Sequence, residues 1–516
     1  MTDASRPAEP DDRRDASSSA DPAPADPAPG AVGPDGSAPA AEPRRWTAFW
    51  ICAAVAILTI LDLAKVNVTL GPIEHTLGAS TSEVQLIVAG YVLAFGLALV
   101  PAGRLGDLRS RKALFLIGLA GFALASTVCA LSASTTMLVI GRVLQGAAAG
   151  TLMPQVIGLI QQLFQGRERG KAFGIFGASI GIGTAFGPTI GGLLIGAFGE
   201  EGGWRATFGM NIPLALLLLA AAWRLLPARQ AHGAAHSLDL GGVALLAGAV
   251  CSLMLPFVLS SGQGANPAIW WLLALSAAFA VAFVLWERRE LREGRVPLID
   301  FALFATPSYR YGVLVTTLLF MAMPAGFLVM TMLLQLGLGR EPVVVGLVTV
   351  PYAIASAIVA AVTGPYTHRH APSFVALGMG LMVAGFLGVL LATPVVAPET
   401  GPWVFAGSLV VAGIGAGFVM GANQMRMLSR VPVTEAGVAG SFAQVGQRVG
   451  NAIGVSIGST AFFAALAAGG GEGEAAYRGG ATAGLGFVVA VLGLGLVVAL
   501  LDLVASRREP QGPVHG

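Results

Sequence analysis

Apolar residues along this chain gather into long runs that short polar connections separate. About 20 apolar residues in a helix are enough to cross the hydrocarbon core of a bilayer. Fourteen runs approach that length, at roughly 47–70, 84–103, 113–132, 136–160, 172–197, 206–226, 239–260, 268–286, 311–336, 343–363, 373–393, 403–422, 437–465 and 482–503. The pattern predicts an all-α integral membrane protein with fourteen transmembrane helices.

The cations in the connections predict how these spans are oriented. Cytoplasmic loops of membrane proteins carry an excess of Lys and Arg. One alternate set of connections, with the membrane-proximal ends of both tails, holds twenty-one cations, whereas the other set holds three: Arg205, Arg340 and Arg478. We therefore predict a multi-pass protein of the cell membrane with both termini in the cytoplasm.

Composition narrows the class of protein further. The chain is 55% hydrophobic and only 11% charged over 516 residues, which is too apolar for a soluble enzyme of this size. The net charge of +2 includes no basic patch outside short loops, so a nucleic-acid partner is not expected. No nucleophile–base pair or metal-ligand spacing stands out, and the three cysteines lie within apolar runs. We expect no enzymatic activity, no metal and no other cofactor.

Ten residues between spans two and three, 103–112, carry the most informative motif. Gly103 and Gly106 allow two helix ends to approach closely, and Asp107 is the single acid among four cations that include Arg111. A basic anchor with an incidental aspartate would explain the cations but not the glycine–aspartate–arginine spacing. The stretch resembles the loop signature of the major facilitator superfamily of secondary transporters. That resemblance implies a conformational switch in which Asp107 meets the start of span thirteen, near Gly437.

A weak internal repeat in the chain predicts its domains. The connection at 363–370 is a weak echo of 103–112, with His368 where Asp107 would be. Two six-helix halves with an extra pair between them suit a transporter that rocks one half against the other. The expected domains are a disordered cytoplasmic tail (1–45), an N-terminal bundle (46–228), an inserted helix pair (237–288), a cytoplasmic linker (289–310), a C-terminal bundle (311–505) and a second cytoplasmic tail (506–516).

Span five contains glycines at every fourth position. Gly183, Gly187 and Gly191 should form one smooth face where another helix can approach, and Pro188 should promote a bend. Ordinary packing of small residues would also explain them. The run from 183 to 192 resembles the signature of the drug-antiporter branches of the superfamily, and the resemblance assigns these residues to the conformational switch.

Spans one and four carry ionisable residues where lipid would be costly. Arg142 and Gln145 lie in span four, in a motif resembling one whose arginine is implicated in proton transfer, although Arg142 could instead reach toward an interface. Asp62, Lys65 and Asn67 lie in span one, which resembles the signature of the fourteen-span drug:proton antiporters. Lys65 departs from that signature and can pair with Asp62, three positions away. We expect Asp62, Lys65 and Arg142 around one water-filled cavity.

In the second half of the chain, the candidate functional residues are mainly a stripe of polar side chains. Gln444, Arg448 and Asn451 lie along span thirteen, and Gln335 closes span nine. Lining a cavity is favoured over facing lipid, because lipid offers no hydrogen-bond partner.

Together these features predict proton-coupled efflux of amphipathic, drug-like molecules by a monomer that alternates access. Its expected partners are a small-molecule substrate, protons and the lipid bilayer. A dedicated exchanger for one metabolite or ion, with the same fold, remains the alternative.

Overall fold

The computed structural model describes residues 42–227, 239–259, 267–295, 297–298 and 301–508, and they are helical with short turns and no strand. Fourteen long helices are labelled α1–α14 in chain order. They are Glu42–Leu77 (α1), Thr81–Leu108 (α2), Arg111–Ala130 (α3), Thr135–Leu163 (α4), Gly166–Gly209 (α5), Asn211–Leu225 (α6), Leu240–Leu259 (α7), Trp271–Arg292 (α8), Pro307–Met332 (α9), Pro342–Thr363 (α10), Thr367–Ala392 (α11), Gly401–Met427 (α12), Ala436–Ala468 (α13) and Glu474–Arg508 (α14). A four-residue helix, Ala302–Ala305, precedes α9.

Most of these helices are long and apolar enough to cross a membrane. Within the described ranges, eleven stretches meet that requirement, and Gly241–Phe257 is a shorter apolar helix. Two of the stretches, Gly166–Leu225 and Val344–Ala392, each contain two of the helices. The chain is therefore an all-helical, multi-pass membrane protein.

The first six and the last six helices pack in corresponding pairs. In the first set α1 packs on α5 and α6, α2 on α4, and α3 on α4 and α6. In the second set α9 packs on α13 and α14, α10 on α12, and α11 on α12 and α14. The two sets also meet, chiefly through α2 against α13 and α5 against α10.

Helices α7 and α8 form a hairpin outside both sets. Gly241 and Gly248 of α7 lie against the rings of Trp286 and Phe279 in α8, so two glycines permit the close approach. The other side of α7 packs on α2 and α13, where those two helices meet. The hairpin therefore covers one seam between the two sets.

The helix bounds differ from the sequence prediction at a few places. Helix α1 begins at Glu42, inside the predicted tail, where Arg45 is paired with Glu168 at 3.2 Å. Helix α8 continues to Arg292, because cations suit the last turn of a helix. Helix α5 leaves helical geometry at Gly199, whose φ of 75° favours glycine, and the bend expected at Pro188 stays a prediction.

Candidate functional site

Asp62 is the centre of a polar cluster inside the first set of helices. Arg142 Nη1 donates to Asp62 Oδ2 at 2.9 Å, and Asn211 Nδ2 donates to Asp62 Oδ1 at 2.6 Å. Lys65 Nζ lies 3.5 Å from Asp62 Oδ1 and donates to Asn211 Oδ1 at 2.6 Å. All four side chains are fully buried. We call these four residues, from α1, α4 and α6, the Asp62 cluster.

Further polar and aromatic groups hold Arg142 in place. Its Nη1 also donates to Gln145 Oε1 at 2.6 Å, and its Nε donates to the carbonyl oxygen of Ile87 at 3.3 Å. The guanidinium lies 4.1 Å from the centroid of the Tyr91 ring. Gln145 Nε2 in turn donates to Ser126 Oγ at 2.8 Å. Because Arg142 is fully buried, the alternative that it reaches toward an interface is wrong.

The Asp62 cluster carries one unit of positive charge when all its groups are ionised. Two cations and one acid are buried together, and burial makes their separation costly. The sequence placed Asp62, Lys65 and Arg142 around a water-filled cavity. They are together, but this conformation closes them off from solvent. The side chain of Asn67 lies outside the described residues.

The glycines of α5 explain how α1 comes close enough to build this cluster. A Cβ on Gly183 would meet the carbonyl oxygen of Ile57 at 3.2 Å, and one on Gly187 would fall on Ala64 Cβ. A Cβ on Gly191 would lie 3.0 Å from the carbonyl oxygen of Lys65. The glycine face therefore packs on the segment of α1 that carries Asp62 and Lys65.

A second site joins the two sets of helices at the end of the bundle that carries residues 103–112, which we call the basic end. Asp107 Oδ1 and Oδ2 accept hydrogen bonds from the backbone N–H groups of Gly437 (3.3 Å) and Val438 (3.0 Å) at the start of α13. Arg111 Nη2 donates to Asp107 Oδ1 at 2.7 Å and to the carbonyl oxygen of Val433 at 2.6 Å. The predicted contact between Asp107 and span thirteen is therefore present. Its role in switching stays a prediction.

The glycines beside Asp107 lie where helices touch. A Cβ on Gly103 would meet Ser441 Oγ and the carbonyl oxygen of Gly437, on the other set of helices. A Cβ on Gly106 would meet the side chain of Gln155 in α4. Gly103 therefore needs a residue without a side chain, because the backbone of α13 is in the way, whereas at Gly106 the end of the Gln155 side chain would have to move.

Gln161 completes this contact, and sequence reasoning missed it. Its Nε2 donates to the carbonyl oxygens of Leu428 (3.3 Å) and Val431 (3.0 Å), which precede α13. Its side chain is fully buried at the end of α4. The only signal was a polar residue near the end of an apolar run. We call Asp107, Arg111 and Gln161 with their partners the latch.

Among the residues that the structure describes, the corresponding contact, between α5 and the end of α10, has no such latch. Gly170 of α5 packs closely on Gly364, and Gly174 on the carbonyl of Ala360. His368 is exposed, and its Nδ1 is 3.0 Å from the carbonyl oxygen of Pro365 in its own loop. The echo of the 103–112 motif therefore lacks the acidic contact.

The polar stripe of α13 faces α2, at one of the seams between the two sets of helices. Arg448 lies 4.1 Å over the centroid of the Phe95 ring in α2, and it is buried, as is Gln444 one turn earlier. Asn451 is half-buried. Gln335 is half-buried in a π-helical turn, Leu333–Gly337, that extends α9.

A buried ion pair in the second set was also missed. Arg426 of α12 donates to Asp502 of α14, with Nη2 3.0 Å from Oδ1. Asp502 ends the last apolar run, where sequence alone suggests an exposed terminus. The pair joins two helices at their basic ends.

Comparison with known proteins gives the family. The family profile of the Major Facilitator Superfamily matches residues 49–455. The probable actinorhodin transporter of Streptomyces coelicolor is 34% identical over 439 residues, covering 84% of this chain and 75% of that protein. The puromycin resistance protein pur8 of Streptomyces alboniger is also 34% identical, covering 83% of this chain and 84% of that protein.

Solved structures agree on the fold. The structure of a proton:xylose symporter of the superfamily aligns over 90% of this chain and 96% of its own, with a TM-score of 0.63 and 15% identity. With the all-helical fold and the extent of these matches, the chain belongs to the major facilitator superfamily of transporters and is not an enzyme.

Proposed function

We propose that this protein exports amphipathic, drug-like molecules across the cell membrane by proton-coupled alternating access. The observation that carries the proposal is the Asp62 cluster, a buried carboxylate held by two cations in the core of a transporter. Such intramembrane ion pairs mark proton and substrate pathways. The names of two relatives, an actinorhodin transporter and a puromycin resistance protein, support an exported compound.

We propose fourteen spans arranged as six, two and six. The corresponding packing pairs of α1–α6 and α9–α14 support two bundles, with the α7–α8 hairpin inserted between them. In this arrangement the basic end faces the cytoplasm, because the excess of cations lies in the connections at that end. Both termini are then cytoplasmic. We also propose that the protein works as a monomer.

The latch closes the basic end in the conformation described here. Asp107, Arg111 and Gln161 tie the first set of helices to the start of α13. Opening toward the cytoplasm therefore requires these hydrogen bonds to break. We propose that the glycine face of Gly183, Gly187 and Gly191 stays packed during this motion, so that α1 and α5 move together.

The proton step follows from the partners of Asp62. From the side opposite the basic end, external water delivers a proton to the Asp62 carboxylate, which then loses its attraction to Arg142. Arg142 moves away, the bundle opens toward the cytoplasm, and Asp62 releases the proton there as Arg142 or Lys65 pairs with it again. The substrate leaves in the opposite direction, so that the proton gradient drives its export.

The alternative is a dedicated exchanger for one metabolite. One relative, 26% identical, is named a riboflavin transporter of Clostridioides difficile, which makes this reading worth testing.

Expression in an efflux-deficient host, followed by a resistance panel of unrelated compounds, separates the two functions. We expect resistance to several chemical classes and its loss when the proton gradient is collapsed. Transport of a single compound class, with competition only within that class, would establish the exchanger instead. Accumulation that does not respond to the gradient would refute proton coupling.

A further inference from the structure

Two side chains on α13 each have a buried donor atom without a hydrogen-bond partner among the described residues. Gln444 and Arg448 lie one turn apart on the same face, each only 6% exposed. Among the described residues, nothing accepts a hydrogen bond from Gln444 Nε2 or Arg448 Nε. A buried donor without a partner is costly, and a buried guanidinium without one is especially so. These donors therefore suit a ligand.

Both residues lie at the depth where transporters of this fold type place a substrate. Arg448 is about 18 Å along the helix axis from Ala436, at 1.5 Å per residue, in a core about 30 Å thick. It faces the other set of helices, over the Phe95 ring. Val445, between the two residues, borders a small apolar gap that residues of α2 and α7 otherwise line, among them Gly96 and Val250. The donors are thus near the midplane, between the two halves.

Packing on Phe95 also orients the guanidinium. The ring covers one flat face of Arg448 at 4.1 Å and leaves the edge of the guanidinium uncovered, including the Nε–H that has no partner among the described residues. That edge is the part of arginine that binds carboxylate or sulfonate oxygens in a two-pronged manner. Gln444 adds an amide donor on the same side of α13.

Charge at this depth is unbalanced in favour of cations. Asp62 is the one acidic side chain near the middle of the spans that the structure describes, and Arg142 and Lys65 already neutralise it. The other buried acids of the two bundles, Asp107 and Asp502, are at the basic end and are paired with arginines. The seam therefore offers Arg448 without a nearby carboxylate.

We propose that Arg448 and Gln444 bind an anionic group of the exported molecule, so that the protein prefers amphipathic organic anions to organic cations. This inference rests on the proposed export function and specifies its substrate class. Arg448 contributes an ionic, two-pronged contact, Gln444 a neutral hydrogen bond, and the surrounding apolar seam accepts the hydrophobic body.

Two dyes with the same xanthene skeleton and opposite charge test this directly. Fluorescein is anionic and rhodamine 123 is cationic, and fluorescence anisotropy measures their binding to the full-length protein in nanodiscs of uncharged lipid. We expect the wild type to bind fluorescein at least tenfold more tightly. Arg448→Gln should weaken fluorescein binding about tenfold or more and leave rhodamine 123 within threefold, and Arg448→Glu should reverse the order.

Two further variants keep the result interpretable. Arg369→Gln removes the same charge at an exposed position and should change neither affinity. Gln444→Leu keeps all charges and should weaken fluorescein binding about threefold or more, even if the Arg448 variants fail to fold. Equal wild-type affinity for both dyes, binding of neither, or fluorescein affinity unaffected by Arg448→Gln and Gln444→Leu would overturn the proposal. Binding is measured without transport, so a selective protein that exports nothing would refute the export function alone.

Discussion

Neutralising Asp107 is the sharpest perturbation of the latch. Asp107→Asn keeps the size of the side chain but removes the charge that faces the first N–H groups of α13 and Arg111. The carboxylate is 1% exposed, so water cannot replace the lost interaction. The asparagine can still accept one hydrogen bond, and Arg111 keeps its bonds to Gly158 and Val433. The closed basic end should therefore be weakened rather than abolished.

The expected loss of stability of the closed basic end follows from the hydrogen bonds that Asp107→Asn changes. Hydrogen bonds to a charged group contribute about 1.5–3 kcal/mol and neutral ones about 0.5–1.5 kcal/mol. A negative charge at a helix N-terminus adds about 0.3–1 kcal/mol. A net loss of about 1.5 kcal/mol would lower the ratio of closed to open basic ends roughly tenfold. Turnover should fall, because closure completes each cycle, whereas KM for an exported dye should stay within about twofold.

Distance measurement by pulsed electron resonance can follow this shift. Spin labels on Arg109→Cys and His368→Cys, both exposed and one in each half, report the opening after the three native cysteines are replaced. Glu168→Gln is the matched control, since it neutralises a carboxylate at the same end whose ion pair is partly exposed and contributes little. An unchanged distance distribution together with wild-type turnover in Asp107→Asn would refute the latch.

Three other perturbations test packing, the second latch contact and topology. Gly187→Ala should lower the free energy of unfolding by about 1–3 kcal/mol, because its methyl group would fall on Ala64. Gly192→Ala is the control: its methyl group would meet open space, so the melting temperature should not change. Gln161→Leu should shift the spin-label distances in the same direction as Asp107→Asn, and a shift toward closure would contradict its assignment. Reporter fusions test the orientation of the spans, and an external signal from a fusion at position 290 would contradict the inserted helix pair. Cytoplasmic signals are expected after residues 108, 168, 290 and 430, and external signals after 133, 263 and 398.

The sequence predicted the helices well because membrane spans must be both helical and apolar. It also located Asp62, Lys65 and Arg142, since ionisable residues inside apolar runs are rare and conspicuous. Asn211 was not predicted, because it lies at the start of its helix, where an asparagine side chain usually forms a hydrogen bond with the neighbouring backbone.

Contacts between distant parts of the chain were less predictable. Gln161 and the Arg426–Asp502 pair lie near the ends of apolar runs, where polar residues are normally taken to face the interface. Only tertiary packing buries them. The break in α5 at Gly199 was also not predicted, because a glycine can adopt a positive φ at little cost without any local sequence signal.

Proton release on substrate binding tests the central claim most directly. In weakly buffered solution, a compound that the resistance panel identifies as exported is added to the purified protein, and a pH indicator records the protons released. We predict release by the wild type, none by Asp62→Asn despite retained binding, and a milder defect in Lys65→Ile. Gradient-driven dye efflux should fail in Asp62→Asn as well. If Asp62→Asn and Arg142→Ala both release protons and pump at wild-type rates, coupling does not reside in the Asp62 cluster, and the account is contradicted.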